Sequence, residues 1–243
     1  MPDSSTKLDI LVFAPHPDDG ELFCGGTLLK SKQHGYRTGI CDLTRGEMGT
    51  RGTPEIRAEE AQAASTLLGL DVRVNLEIPD GGIAQTPEHR LRVIQTLREF
   101  QPHLILIPYP EDRHPDHVHA SYLVKEAAFY SGLRAIDTGQ TPYRPLKILY
   151  YFTHYIPVQP TIIVDVSDVF EYKLVAIQAY QSQFYQANAS TGEPETYISS
   201  KTFWEGITGR ASYWGSKIQV RYGEPFWMSE PVSTQNVMAI LSL

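Results

Sequence analysis

The 243-residue sequence contains only two cysteines, Cys24 and Cys41. They form neither a CxxC pair nor a disulfide framework, which excludes a stapled secreted scaffold and a cysteine-rich zinc module. They read as two reduced thiols of a cytoplasmic protein, with Cys24 buried beside the core. Long apolar runs are also missing. No stretch approaches the roughly 20 residues that cross a bilayer, and the opening MPDSSTKLDI has no basic segment leading into an apolar one, so neither a membrane nor a secretory role is expected. Positive charge is scarce. Lys and Arg number 21 against 28 Asp and Glu, a net −7, so no basic face announces nucleic-acid binding. No GxGxxG, P-loop lysine or GxSxG occurs, which leaves no phosphate cradle or serine nucleophile. At 42% hydrophobic and 20% charged, the composition still suits a folded globular chain rather than a disordered one.

What is present is alternation. LDILVFA (8–14), YRTGICDLT (36–44), VRVNLEI (72–78) and HLILIP (103–108) read as strands. Between them lie amphipathic helices: 21–35, ending at Gly35; one starting at Pro54 with Ile56, Ala61, Ala64 and Leu68 facing inward; and 87–101, with Leu91, Ile94, Leu97 and Phe100 at helical spacing. This pattern predicts an α/β fold, a Rossmann-like doubly wound, mostly parallel sheet covered on both faces.

Beyond residue 135 the pattern loosens into an elaborated C-terminal part of the same single domain. Strands are expected over 147–154 and 161–167, a helix over 168–184 with Ser167 as N-cap, a loop over 188–195, and then a helix of about 20 residues. Trp204, Trp214 and Trp227, with Tyr150, Tyr151, Tyr155, Tyr197, Tyr213 and Tyr222, supply aromatic surface. It serves core packing and a homo-oligomer interface, or else walls a small-molecule pocket.

In such sheets ligands bind outside the carboxyl ends of the strands. The first strand is followed by His16, Asp18 and Asp19, the second by Arg45, Glu47 and Arg51, and the third by Asp80. After the fourth comes PYPEDRHPDHVHA, with Glu111, Asp112, Arg113, His114, Asp116, His117 and His119. His16, Asp19 and His117 supply the two imidazoles and one carboxylate of a hydrolytic zinc site with a position left for water. Asp18, beside the metal, suits a general base. His114 suits oxyanion stabilisation or leaving-group protonation, with Asp116 behind its ring. Either cluster alone would also fit a capped turn. His16 and Asp18 with His117 equally satisfy the 2-His-1-carboxylate pattern of non-haem iron oxygenases, and a non-catalytic metal- or sugar-binding module is a third reading. Zinc is the expected metal, with iron(II) or another divalent ion as the alternative. His34, His89, His103 and His154 read as structural or surface residues, and Gly25 and Gly26 as positions of close helix–strand packing.

At these residues the chain resembles the PIG-L/LmbE family of zinc-dependent N-acetylglucosamine deacetylases. HPDDGE (16–21) and HPDH (114–117) match its paired motifs, and the similarity runs over roughly 8–132, more weakly through AYQSQF. Gly20, inserted before Glu21, together with GICDLTRGEMGTRGTPEIRAEEA and NLEIPDGG, resembles the bacillithiol branch. The resemblance implies removal of an acetyl group from a small GlcNAc conjugate, in that branch N-acetylglucosaminyl malate. Inositol-linked and chito-oligosaccharide substrates are the alternatives. It implies the same zinc ligands and base, adds Arg57 as a site arginine facing a carboxylate or substrate group, and suggests Tyr197 as the tyrosine that completes such sites.

Overall fold

The computed structural model describes residues 6–154, 157–187 and 192–231. Its elements, in order, are β1 (Ile10–Ala14), α1 (Asp19–Gln33), β2 (Thr38–Asp42), α2 (Pro54–Leu68), β3 (Val72–Asn75), α3 (Pro87–Phe100), β4 (Leu104–Pro108), α4 (Pro115–Tyr130), β5 (Lys147–Tyr151), β6 (Ile162–Asp165), α5 (Phe170–Gln178), α6 (Lys201–Lys217) and β7 (Gly223–Trp227). The strands form one seven-stranded sheet in the order β3-β2-β1-β4-β5-β7-β6. The first five run parallel, and β7 is antiparallel to both β5 and β6. This is the expected α/β fold with a mostly parallel sheet.

Two cores sandwich the sheet. Ile10, Val12 and Ala14 of β1 enter the core shared with α1, α2, α5 and α6. Leu11 and Phe13 enter the opposite one, under α3 and α4. Period-2 alternation on a strand buried on both faces is what makes LDILVFA a continuous apolar run. Thr53 and Thr86 cap α2 and α3, each accepting from a backbone N–H three residues on, and each helix then opens on proline.

Several expectations shift. Ile56 and Leu91 are 43% and 38% exposed rather than core residues. In α2 the first inward turn is instead Arg57 and Glu60, buried because that end of the helix faces polar partners. The helix expected over 168–184 is shorter, and Ser167 does not cap it. The Ser167 hydroxyl donates to Asp165 and accepts from Tyr222 N, and the helix starts three residues later. β7 is unforeseen because Pro225 lies mid-strand. The sheet accommodates it because pairing with β5 covers only Trp227 and Phe226. Tyr150, Tyr151, Trp214 and Tyr222 are core residues, whereas Tyr213 is exposed. Tyr155 and part of the 188–195 loop lie outside the described residues.

Gly25, expected to pack on a strand, instead faces Lys173 of α5 and Leu68 of α2, whereas Gly20 and Gly26 do lie close against the sheet side. A Cβ on Gly20 would sit 2.8 Å from Ile40 Cδ1, so the residue lets α1 rest on β2. Gly26 is tighter. A Cβ there would meet Glu224 Oε1 at 2.7 Å and Val166 Cβ at 2.8 Å. Glu224 cannot retreat, because its carboxylate accepts from Gly26 N, Thr27 N and Thr27 Oγ1 and pairs with buried Lys173. Gly26→Ala is therefore expected to destabilise by about 1–2 kcal/mol, overpacking outweighing the helix-propensity gain. Urea unfolding of the two proteins checks this.

Candidate active site

The strand order reverses between β1 and β4, whose carboxyl ends open the crevice where doubly wound sheets bind ligands. The first motif leaves β1 there and the second leaves β4. The two clusters, a hundred residues apart in sequence, meet.

Asp19 stands at their junction. One of its oxygens, Oδ2, lies 3.3 Å from His16 Nδ1 and 3.3 Å from His117 Nε2. Four ligands at zinc bond lengths of 2.0–2.1 Å are separated by about 3.3–3.4 Å, so the spacing fits a tetrahedral site. The other nitrogen of each histidine faces a further carboxylate. His16 Nε2 is 3.2 Å from Asp80 and 3.4 Å from Asp116, and His117 Nδ1 is 3.5 Å from Asp112. Carboxylates behind metal-ligating imidazoles are the usual means of fixing tautomer and ring orientation. A second cluster, His16, His114 and Asp116, is equally close. There, however, Asp116 Oδ2 also accepts from Gly81 N, and His114 Nδ1 accepts from Asp116 N. The residues present thus fit a zinc-sized divalent ion at His16, Asp19 and His117.

Electrostatics follow from the crowding. Burial opposes protonation of His16, but Asp116, Asp19 and Asp80 outweigh it and hold its pKa well above the usual range. His117 is pushed up to about 9, where Asp19 and Asp112 likewise overcome burial. Asp19 stays well below the usual carboxylate range because the two imidazoles outweigh its desolvation. Asp18 goes the other way. Burial, helped by the Asp19 charge, raises it to about 7 against the opposing pull of Arg57.

Asp18 does not cap its helix. It sits at the N-cap position of α1 with φ 114°, and its side chain makes no capping bond. Its Oδ2 instead accepts from Arg57 Nη2 at 3.0 Å, both side chains buried. A non-glycine residue held at such a φ is strained, and the same guanidinium also binds the Pro17 carbonyl. Arg57 thereby sets the Asp18 carboxylate.

His114 opens α4, and its Nδ1 accepts the Asp116 N–H at 3.2 Å. The neutral ring then carries its proton on Nε2, the tautomer that can donate. Burial, with His16 and His117, lowers its pKa. Asp116 departs from expectation. Its carboxylate lies behind His16, not His114, and only its backbone touches the His114 ring. At the second helical position its side chain is carried back toward the β1 loop and Gly81.

His16, Asp18, Asp19, Arg57, His114 and His117 line one cavity of about 520 Å³, together with Met48, Arg51, Asp80, Arg113, His154, Phe184 and Tyr197. Tyr197 stands at its wall, half exposed, with the Arg113 guanidinium 4.3 Å over its ring. Three contributors carry no role in the sequence reading. Asp80 and Asp112 stand at strand ends, the signal that could place them. His154 reads as structural or surface because no partner pattern surrounds it in the sequence. β5 stops at Tyr151, leaving His154 at a carboxyl end. Burial lowers its pKa to about 4.

An α/β protein with a histidine–aspartate centre at the switch point of its sheet is thus defined. Residues 11–128 match the family model described as PIG-L, GlcNAc-PI de-N-acetylase. A diacetylchitobiose deacetylase from Thermococcus kodakarensis is 33% identical over 190 residues, covering 72% of this chain and 70% of the relative. A probable N-acetyl-alpha-D-glucosaminyl L-malate deacetylase 2 from Bacillus anthracis is 31% identical over 190 residues, covering 72% of this chain and 81% of the relative. The crystal structure of a conserved protein from Thermus thermophilus superposes with a TM-score of 0.84 at 43% identity, covering 95% of this chain and 98% of that one. The chain belongs to the PIG-L family.

Proposed function

We propose that this protein is a zinc-dependent cytoplasmic hydrolase that removes the N-acetyl group from a small GlcNAc conjugate. The observation that carries the reading is the single Asp19 oxygen equidistant from His16 and His117, with a second, arginine-held carboxylate beside it in the same cavity. A zinc ion held by His16, Asp19 and His117 would acidify a water and polarise the acyl oxygen. Asp18 accepts the proton of the attacking water at its carboxylate. Arg57 orients Asp18 and keeps it available as a base. His114, protonated on Nε2, donates to the developing oxyanion or to the departing amine. Asp80, Asp112 and Asp116 hold the two ligating rings in register.

The cavity is of monosaccharide-to-disaccharide size. Arg113 reaches its mouth, and among the described residues its guanidinium stacks on Tyr197 without an ion-pair partner. An acidic aglycone suits that cation, which supports N-acetylglucosaminyl malate over neutral chito-oligosaccharide or inositol conjugates. The test is an acetate-release screen across those three substrate types. Chelation is expected to abolish release and added zinc to restore it, with one zinc per chain by elemental analysis. Release that persists in chelator, or that needs oxygen and a reductant, would discard the reading.

A further inference from the structure

Among the described residues, three side chains of the cavity wall carry a buried nitrogen without a hydrogen-bond partner: Arg57 and His117, whose other nitrogens engage Asp18 and Asp19, and His154. His154 follows the end of β5 by three residues and is boxed by aromatic rings. Phe23 lies 5.5 Å away and nearly perpendicular, Phe203 5.4 Å, and Tyr197 5.7 Å. Its ring runs nearly parallel to that of His117, 6.4 Å off. Its Nδ1 is buried and has no hydrogen-bond partner. Buried unpaired nitrogens are destabilising and uncommon, and phenylalanine would fill the same aromatic box without that cost. His154 also lines the cavity, so its unpaired nitrogen suits a group that enters there.

The surroundings say what that is. His154 is not one of the residues that close on a common metal position. No carboxylate is bonded to it among the described residues, and aromatic rings enclose it, so it presents a neutral imidazole with one donor and one acceptor. A hydroxyl both donates and accepts and so meets either tautomer, whereas an anionic group would meet only the N–H.

Building on the deacetylase reading, we infer that His154 is a substrate-positioning residue that hydrogen-bonds one ring hydroxyl of the bound sugar. It touches substrate without moving a proton. Its loss weakens binding of the sugar and leaves the chemical step intact.

The test compares wild type with His154→Phe, which keeps the box and removes the nitrogens. Acetate release is followed from the parent conjugate and from its 3-deoxy, 4-deoxy and 6-deoxy sugars. On the parent, KM should rise roughly 10-fold with kcat within about threefold, the size of one lost hydrogen bond. On one deoxy substrate the two proteins should behave alike, since its hydroxyl is already gone. His154→Gln, which retains a donor and an acceptor, should recover part of the KM and guards against a folding defect in the phenylalanine variant. Proportional losses on every substrate, a fall in kcat alone, no change, or identical Gln and Phe variants would overturn the assignment. Wild-type protein that releases no acetate from the parent overturns the deacetylase reading itself, and this inference with it. An active wild type lacking the deoxy pattern overturns this inference alone.

Discussion

On the proposed mechanism, Asp18→Asn is expected to keep its metal and lose about 10²–10⁴-fold in turnover, the contribution of a positioned base. Asparagine is the informative replacement for structural reasons. Residue 18 sits at φ 114°, a conformation that is unfavourable for non-glycine residues but that asparagine tolerates better than alanine does. Its side-chain oxygen can still accept from Arg57, so the buried guanidinium is not stranded. The proposed ligand set of His16, Asp19 and His117 is untouched, so metal content should match wild type. Asp18→Ala should lose turnover as fully and be less stable, because it leaves Arg57 buried without its carboxylate. Elemental analysis beside steady-state kinetics separates the outcomes. Zinc lost in step with activity would make Asp18 a ligand and return the base role to another residue.

The roles of the two adjacent acids are separable only in three dimensions. The sequence places both acids after β1 and allows either to bind metal or to cap α1. The structure distinguishes them by which way each carboxylate turns: Asp19 toward two imidazoles, Asp18 toward Arg57. The parallel half of the fold is legible because buried strands and amphipathic helices have different periods, and because proline marks a helix start. The antiparallel edge is not, since Pro225 hides β7. Long-range carboxylates are the other blind spot. That Asp116 serves His16 rather than its neighbour His114 follows from how α4 docks against the β1 loop, and no local pattern encodes that. His154 is hidden because its aromatic neighbours Phe23, Tyr197 and Phe203 are distant in sequence and leave no local pattern around it.

Arg73→Met should have the largest effect on stability, about 3–5 kcal/mol, the cost of breaking a buried ion pair from one side. Arg73 reaches from β3 into a closed polar cluster. It pairs with Asp42 through two bonds of 2.7 and 2.9 Å, binds Glu21, and donates to the Tyr180 hydroxyl at 2.9 Å. Glu21 is fully buried on α1 two residues past Asp19, and Asp42 ends β2. The guanidinium therefore fastens the start of α1, beside Asp18 and Asp19, to the sheet. Methionine would fill the volume and strand two carboxylates. The pH dependence gives the argument a sign. Burial already raises the pKa of Asp42, with Arg73 holding it down. A carboxyl whose folded pKa exceeds its unfolded value costs the fold stability as pH rises through the folded value, and removing Arg73 enlarges that cost. The deficit of Arg73→Met should thus be greatest near neutral pH and shrink on acidification toward pH ~4, where unfolded carboxylates begin to protonate. Urea unfolding of both proteins across that range measures it. A deficit independent of pH would mean that lost packing, rather than stranded charge, sets the cost. Metal affinity should change less than stability, because none of the three proposed ligands touches Arg73 and the α1 anchor retains the Tyr180 hydroxyl on Glu21.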